Sequence, residues 1–214
     1  MSVPIAFFRQ DDKTFVVMLQ GLEPGTNLLV SSKGHWQGRY IPEKYQIYPF
    51  LMARNESGEK VLCIDESAGT LLPDGDLSGE LFFDGLGQPS EKIGKVVAFL
   101  SEHGENADIA LEICRELEDL ELLEPWEIKA QLPGKQINVS GLFRINEPRL
   151  NALGPEDLLR LRDSRALAVA YCQLFSTANL DRLIRVASER ESGGDDSYSL
   201  ANTESSGSLS FDNI

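Results

Sequence analysis

The residues of this chain best suited to hold a ligand are aromatic and basic rather than nucleophilic. His35, Trp36, Arg39 and Tyr40 fall together in the stretch HWQGRY, and Tyr45, Tyr48 and Phe50 follow within ten residues. Rings beside one imidazole and one guanidinium would line a pocket for an aromatic or carboxylate ligand. The alternative is that the same rings pack a small lobe, with Arg39 stacked on one of them. Arg144 adds a further candidate, either as an anion-binding arginine or in a local ion pair with Glu147 that fixes a strand-to-helix corner. The candidate ligand-binding set is therefore His35, Trp36, Arg39, Tyr40, Tyr48 and Arg144.

Other chemistry lacks its residues. The only other histidine, His103 in Ser-Glu-His-Gly, reads as a cation at a helix end, where the dipole favours it. No HExxH run or Cys/His pair has metal-ligand spacing, so no metal site is expected. Cys63, Cys114 and Cys172 are scattered through apolar surroundings and read as free buried thiols. Asp65 and Glu66 are adjacent and would diverge if the strand before them continued. There is no GxSxG elbow, no P-loop and no GxGxxG. The sequence offers no catalytic residue and no cofactor, which favours a non-enzymatic protein.

The elements that must carry the candidates follow from periodicity. Residues 1–90 read as strands and turns, including a short β-prone run from Phe15 and a short helix over 41–48 with Pro42 at its first position. Phe50 to Arg54 and Lys60 to Ile64 form two strands joined by an Asn-Glu-Ser-Gly turn, and 65–90 is an irregular surface connection. From Ser90 the period becomes helical, with Gly104 ending one helix and a second running over about 107–123 until Pro125 stops it. Trp126, Ile128, Ala130 and Leu132 alternate with polar residues, as do Ile137 to Ile145, around a turn at Pro133-Gly134-Lys135, which predicts a hairpin. Gly141 within it suggests a bulge or a close backbone approach. Pro155 opens a short helix, and 164–188 holds one or two more with a break at Ser176-Thr177. The expected fold is α+β: a β-rich N-terminal half packed with a helical C-terminal half containing one β-hairpin.

With 214 residues and 42% hydrophobic content, the chain is long enough for one domain or two lobes sharing a core. The expected organisation is a single domain over 1–190, with a β-rich lobe to about 90 and a helical lobe from about 91, then an acidic Ser/Gly-rich tail over 191–214 expected to be disordered. The net charge of −14 repels phosphate backbones and anionic headgroups. The arginines 160, 162, 165, 182 and 185 are interleaved with acids and leucines, as on a solvated helix face. No nucleic-acid partner is expected. The longest apolar run, 166–172, falls far below the ~18 residues of a membrane span. Without a recognisable leader, the protein is expected to be soluble and cytoplasmic.

Seven blocks in order resemble one family. They are Gly21-Leu-Glu-Pro-Gly25, Tyr48-Pro-Phe50, Cys63-Ile-Asp-Glu66, Leu81-Phe-Phe-Asp84, Leu123-Glu-Pro-Trp126, Gly141-Leu-Phe-Arg-Ile-Asn-Glu147 with Leu150-Asn151, and Tyr171-Cys-Gln-Leu174. Together they are similar to the SapC-like proteins over roughly residues 3 to 187. That family usually has Asp at the position of Asn146, a departure that favours a structural role there. The resemblance implies a bacterial, soluble protein linked to surface layers; with the acidic charge and the lack of a catalytic set, the expected role is an accessory protein of a surface-layer or uptake-associated system that binds a protein partner. A small-molecule carrier or an oxidative enzyme built on the His35–Phe50 aromatics is the alternative.

Overall fold

The computed structural model describes residues 3–38, 40–72 and 78–193. Arg39 and the tail beyond Gly193 therefore lie outside the described residues. In chain order the elements are β1 (Ile5–Gln10), β2 (Lys13–Met18), α1 (Glu43–Gln46), β3 (Phe50–Arg54), β4 (Lys60–Ile64), α2 (Glu91–Asp119), β5 (Leu123–Leu132), β6 (Lys135–Ile145), α3 (Glu147–Asn151), α4 (Pro155–Asp163), α5 (Ala166–Ser176) and α6 (Leu180–Glu191). The protein is thus mixed α and β, with two antiparallel sheets. It divides into two compact units, one taking residues up to Tyr40 and from Ile109 onward, the other Ile41–Asp108, with the division inside α2.

The first unit is built on a four-stranded sheet in the order β2-β1-β6-β5. The N-terminal strands therefore join the later hairpin, with Phe7 opposite Phe143 and Phe8 opposite Leu142. At the β5–β6 turn, Gly134 takes a φ of 77° that its missing Cβ allows, after Pro133 has set the corner. Further along, Trp126 pairs with Leu142 but Ile128 pairs with Val139, so Ser140 and Gly141 together face Glu127. That is a bulge, with Gly141 at φ 81°. It shifts the inward parity of β6 by one residue. Before it, Ile137 and Val139 share a face with Ala130 and Ile128; after it, Phe143 and Ile145 turn to the opposite face.

Each face is consequently buried over part of its area. One packs Ala6, Trp126, Ile128 and Leu142, and beside them Ala130, Leu132 and Ile137 against Leu183 and Ala187 of α6. The other packs Phe7 and Ile145 against Ile113, Cys114 and Leu117 of α2, Leu150 of α3, Leu161 of α4 and Ala166 and Ala170 of α5.

α2 runs unbroken through Gly104 for 29 residues. A glycine inside a helix costs only about 1 kcal/mol relative to alanine, and the real stop is chemical. Leu122 N–H donates to Leu117 O and Glu121 N–H to Glu118 O, with Glu121 left-handed at φ 51°. This is a Schellman closure in which Leu122 and Leu117, both fully buried, supply the accompanying apolar contact. His103 is therefore a mid-helix residue and not a helix-end cation.

The second unit pairs β3 with β4 in the register Phe50–Ile64 to Arg54–Lys60, as the turn chemistry predicts. Ile47, Val96 and Leu100 form its core with Phe50, Met52, Leu62 and Phe99 packed around them. Among the described residues no helix is long and apolar enough to cross a membrane.

Candidate functional site

The expected aromatic cluster is distributed between the two units. His35, Trp36 and Tyr40 belong to the first unit, Tyr48 to the second. Ser31 N–H donates to His35 O at 2.8 Å, His35 N–H returns to Ser31 Oγ at 3.1 Å, and Val30 bridges Trp36, making a small looped hairpin. Arg190 of α6 pins its base by donating to the carbonyls of Asn27, Leu28 and Val30 at 3.1, 3.2 and 2.6 Å. The His35 side chain is exposed, and the Trp36 indole N–H donates to Tyr40 O at 3.1 Å. Tyr48 donates to Asp65 Oδ2 at 3.3 Å; Asp65 also accepts from Ser67, whose hydrogen bonds hold its carboxyl below the ordinary carboxylate range.

Arg144 projects from β6 and donates through Nε to Glu124 Oε1 at 2.7 Å, directly across the ladder. Its ion pair is therefore a cross-strand one, not the corner pair with Glu147. The corner is fixed instead by Asn146, whose side-chain oxygen accepts from Arg149 N–H at 2.9 Å as the N-cap of α3. Among the described residues no group of three His, Cys, Asp or Glu is placed to hold a metal ion. Of the three thiols only Cys114 is buried, where desolvation, with Glu118 nearby, pushes it up to about 11. Cys172 is exposed, so the expectation of uniformly buried thiols is corrected. An open groove of about 510 Å³ runs along α6, with Asp181, Arg185 and Glu189 on its wall beside Ile184. Its charged, open character differs from the enclosed apolar pockets that hold small molecules.

A different feature stands out in the second unit, in a segment the sequence marks only as an irregular connection. Residues 82–90 form a closed loop: Ser90 N–H donates to Phe82 O and Asp84 N–H to Gln88 O, each at 2.8 Å. The Asp84 carboxylate accepts from Leu86 N–H and Gln88 N–H at 2.8 and 2.9 Å, tying the turn internally. Phe82 anchors the base edge-on against Phe50, 5.9 Å between centroids, and Ser90 Oγ accepts from Ile93 N–H to start α2. Yet this ordered loop exposes large apolar side chains: Leu81 is 63%, Phe83 58% and Leu86 86% accessible. The available signal was a leucine set between two glycines at a turn tip, where turn chemistry favours polar residues.

The profile of the SapC family matches residues 1–183, most of the chain. The chain belongs to the SapC family. No curated protein and no solved structure matches it. Several of the blocks that carry the SapC resemblance have plain structural work in this fold. Asn146 caps α3, a task either Asp or Asn performs, which accounts for the departure from the usual family residue. Gly141 makes the β6 bulge. Gln173, in the Tyr171-Cys-Gln-Leu174 block, is fully buried and joins two strands through its amide. The Leu81-Phe-Phe-Asp84 block differs from these, because only Phe82 turns inward, against Phe50, while Leu81 and Phe83 are exposed.

Proposed function

We propose that this SapC protein is a non-enzymatic accessory protein that works by binding a protein partner in a surface-layer or uptake-associated system, and that the 81–90 loop is its contact. The observation that carries this reading is the combination of a hydrogen-bonded loop with three exposed large apolar side chains, Leu81, Phe83 and Leu86. A loop that is already ordered loses little conformational freedom on binding, and a small apolar group at its tip can supply most of an interface's energy. Full burial of a leucine or phenylalanine side chain contributes roughly 1.5 to 3 kcal/mol, less the share already buried. Exposed apolar residues grouped on one element mark interaction surfaces more often than ones scattered singly.

Site-specific photocrosslinking in the native cell tests this. Leu86→p-benzoylphenylalanine should give a discrete adduct that disappears when Phe83→Asp is added. The same probe at Glu127, on the exposed side of β5 in the other unit, should not give that adduct. Identical adducts from both positions, or none from position 86, would count against the loop as the contact.

A further inference from the structure

His103 sits in the middle of α2 with both ring nitrogens engaged by acceptors. Nδ1 lies 2.6 Å from Phe99 O, the carbonyl one turn earlier. Nε2, itself shielded from solvent, lies 2.5 Å from Glu43 Oε2 of α1, in ion-pair contact though without an aligned hydrogen bond. The ring stacks on Phe99 with centroids 3.9 Å apart, which fixes its orientation. A carbonyl and a carboxylate can only accept. A neutral imidazole carries one N–H and one lone pair, so in this geometry one nitrogen would direct a lone pair at an oxygen. Only the imidazolium satisfies both contacts.

We propose that His103 is a proton-operated clasp fastening α1 to α2: as the imidazolium it bridges Phe99 O and Glu43, and on losing a proton it releases α1. The neighbouring charges are accounted for element by element. α1 turns Glu43 to the ring while its Lys44 stands exposed. α2 adds Glu102, which favours the cation. β4 brings Lys60, whose Nζ lies 4.0 Å from where a Cβ on Gly104 would sit. Burial of the ring also works against the charge, but the Phe99 carbonyl and then Glu43 outweigh it, holding the ring above the ordinary histidine value of 6.5. A group whose pKa is raised by folding contributes stability that is complete below its unfolded value and is lost as pH rises through the folded one. The clasp is therefore closed below the ordinary histidine value of 6.5 and opens as pH rises through the higher value of the folded protein. Opening loosens Ile47, at the end of α1, from Val96 and Leu100.

Heteronuclear NMR of the full chain tests this. The chain has two histidines, so the imidazole spectrum contains two spin systems, and His35→Gln assigns them. His103 should titrate above 6.5, with both ring nitrogens protonated at about pH 6. The backbone amides of Glu43–Gln46 should move with the same midpoint. Glu43→Gln, which keeps the ring and the Phe99 acceptor, should lower that midpoint, and His103→Gln should abolish the titration of the α1 amides. If His103→Gln fails to fold, Glu43→Gln alone decides. A wild-type midpoint at or below 6.5, an unchanged midpoint in Glu43→Gln, or α1 amides that still titrate in a folded His103→Gln would each overturn the clasp.

Discussion

Gln173 gives the sharpest test of how the first unit holds together. The β1–β6 register, continued by two residues, places Ile5 opposite Ile145. The strands do not close there. Instead Gln173 of α5, fully buried, inserts its amide: Oε1 accepts from Ile145 N–H at 2.9 Å and Nε2 donates to Ile5 O at 3.2 Å. Ser176, one turn later, accepts Ile5 N–H at 2.8 Å and donates its own hydroxyl to Gln173 O at 2.7 Å. Gln173→Met keeps the volume and removes both polar contacts. The Ile145 N–H is buried and bears the full penalty of an orphaned donor, about 1–3 kcal/mol; the Ile5 carbonyl is partly accessible and costs less. The expected loss is roughly 2 to 4 kcal/mol, a large part of a typical domain's 5–15 kcal/mol. For a chain of this size that lowers the melting temperature by about 4 to 16 °C. Both tryptophans, Trp36 and Trp126, lie in the first unit, so intrinsic fluorescence during denaturant unfolding reports on it. Ser176→Ala should cost less, because it orphans one donor. A Gln173→Met variant within about 0.5 kcal/mol of the parent would refute the reasoning, since surface-like tolerance is incompatible with two orphaned backbone groups.

Other outcomes follow from the same structure. Asn146→Asp should leave stability nearly unchanged while Asn146→Ala loses about 1 kcal/mol of α3 capping, read by chemical denaturation. Gly141→Ala should destabilise by roughly 1–2 kcal/mol from its left-handed φ alone, because nothing lies within 4 Å of the added Cβ. Iodoacetamide at pH 8 should alkylate Cys172 readily and spare Cys114, whose thiol is buried and pushed up to about 11; mass mapping of native protein would show the difference, and raising the pH short of unfolding should not erase it. Arg190→Ala should free the 27–30 segment, seen as faster amide exchange in that stretch, since three carbonyls lose their donor.

The local parts of this fold are legible in the sequence, and the non-local parts are not. The hairpin β3–β4 declares itself through the turn residues between two apolar runs, β5–β6 through period-two alternation around its turn, and the bulge through a glycine inside a strand. The β1–β2 hairpin is harder, because its turn is Asp11-Asp12, both left-handed at φ 48° and 57°, where the usual signal is Asn-Gly. That β1 then pairs with β6 depends on chain segments more than a hundred residues apart, which no window of periodicity contains. Gly104 was a misleading stop and Glu121 a hidden one, since a left-handed glutamate is uncommon and its helix closure rests on the burial of Leu122. Among the candidate ligand residues, Trp36 and Tyr40 do meet, but Arg144 is turned to a glutamate across the ladder that only the register identifies. The exposed 81–90 loop escaped because exposure of an apolar residue is a tertiary property.

The Gln173 and Ser176 contacts to Ile5 also set a schedule for synthesis. Ile5 finds its hydrogen-bonding partners 168 and 171 residues later in the chain. At ordinary ribosomal speeds of about 5–20 residues per second, the first strand leaves the exit tunnel on the order of ten to thirty seconds before the helix that secures it. For most of that interval Phe7, fully buried at the end, has no Phe143 opposite it, and the helical layer over it is incomplete until α5 arrives. The intervening Ile41–Asp108 unit, whose own core lies entirely within those residues, has all its parts available first. The nascent chain thus carries an early, unsatisfied apolar hairpin behind a unit that can fold ahead of it, and this is the stage at which a holding chaperone would have something to grip.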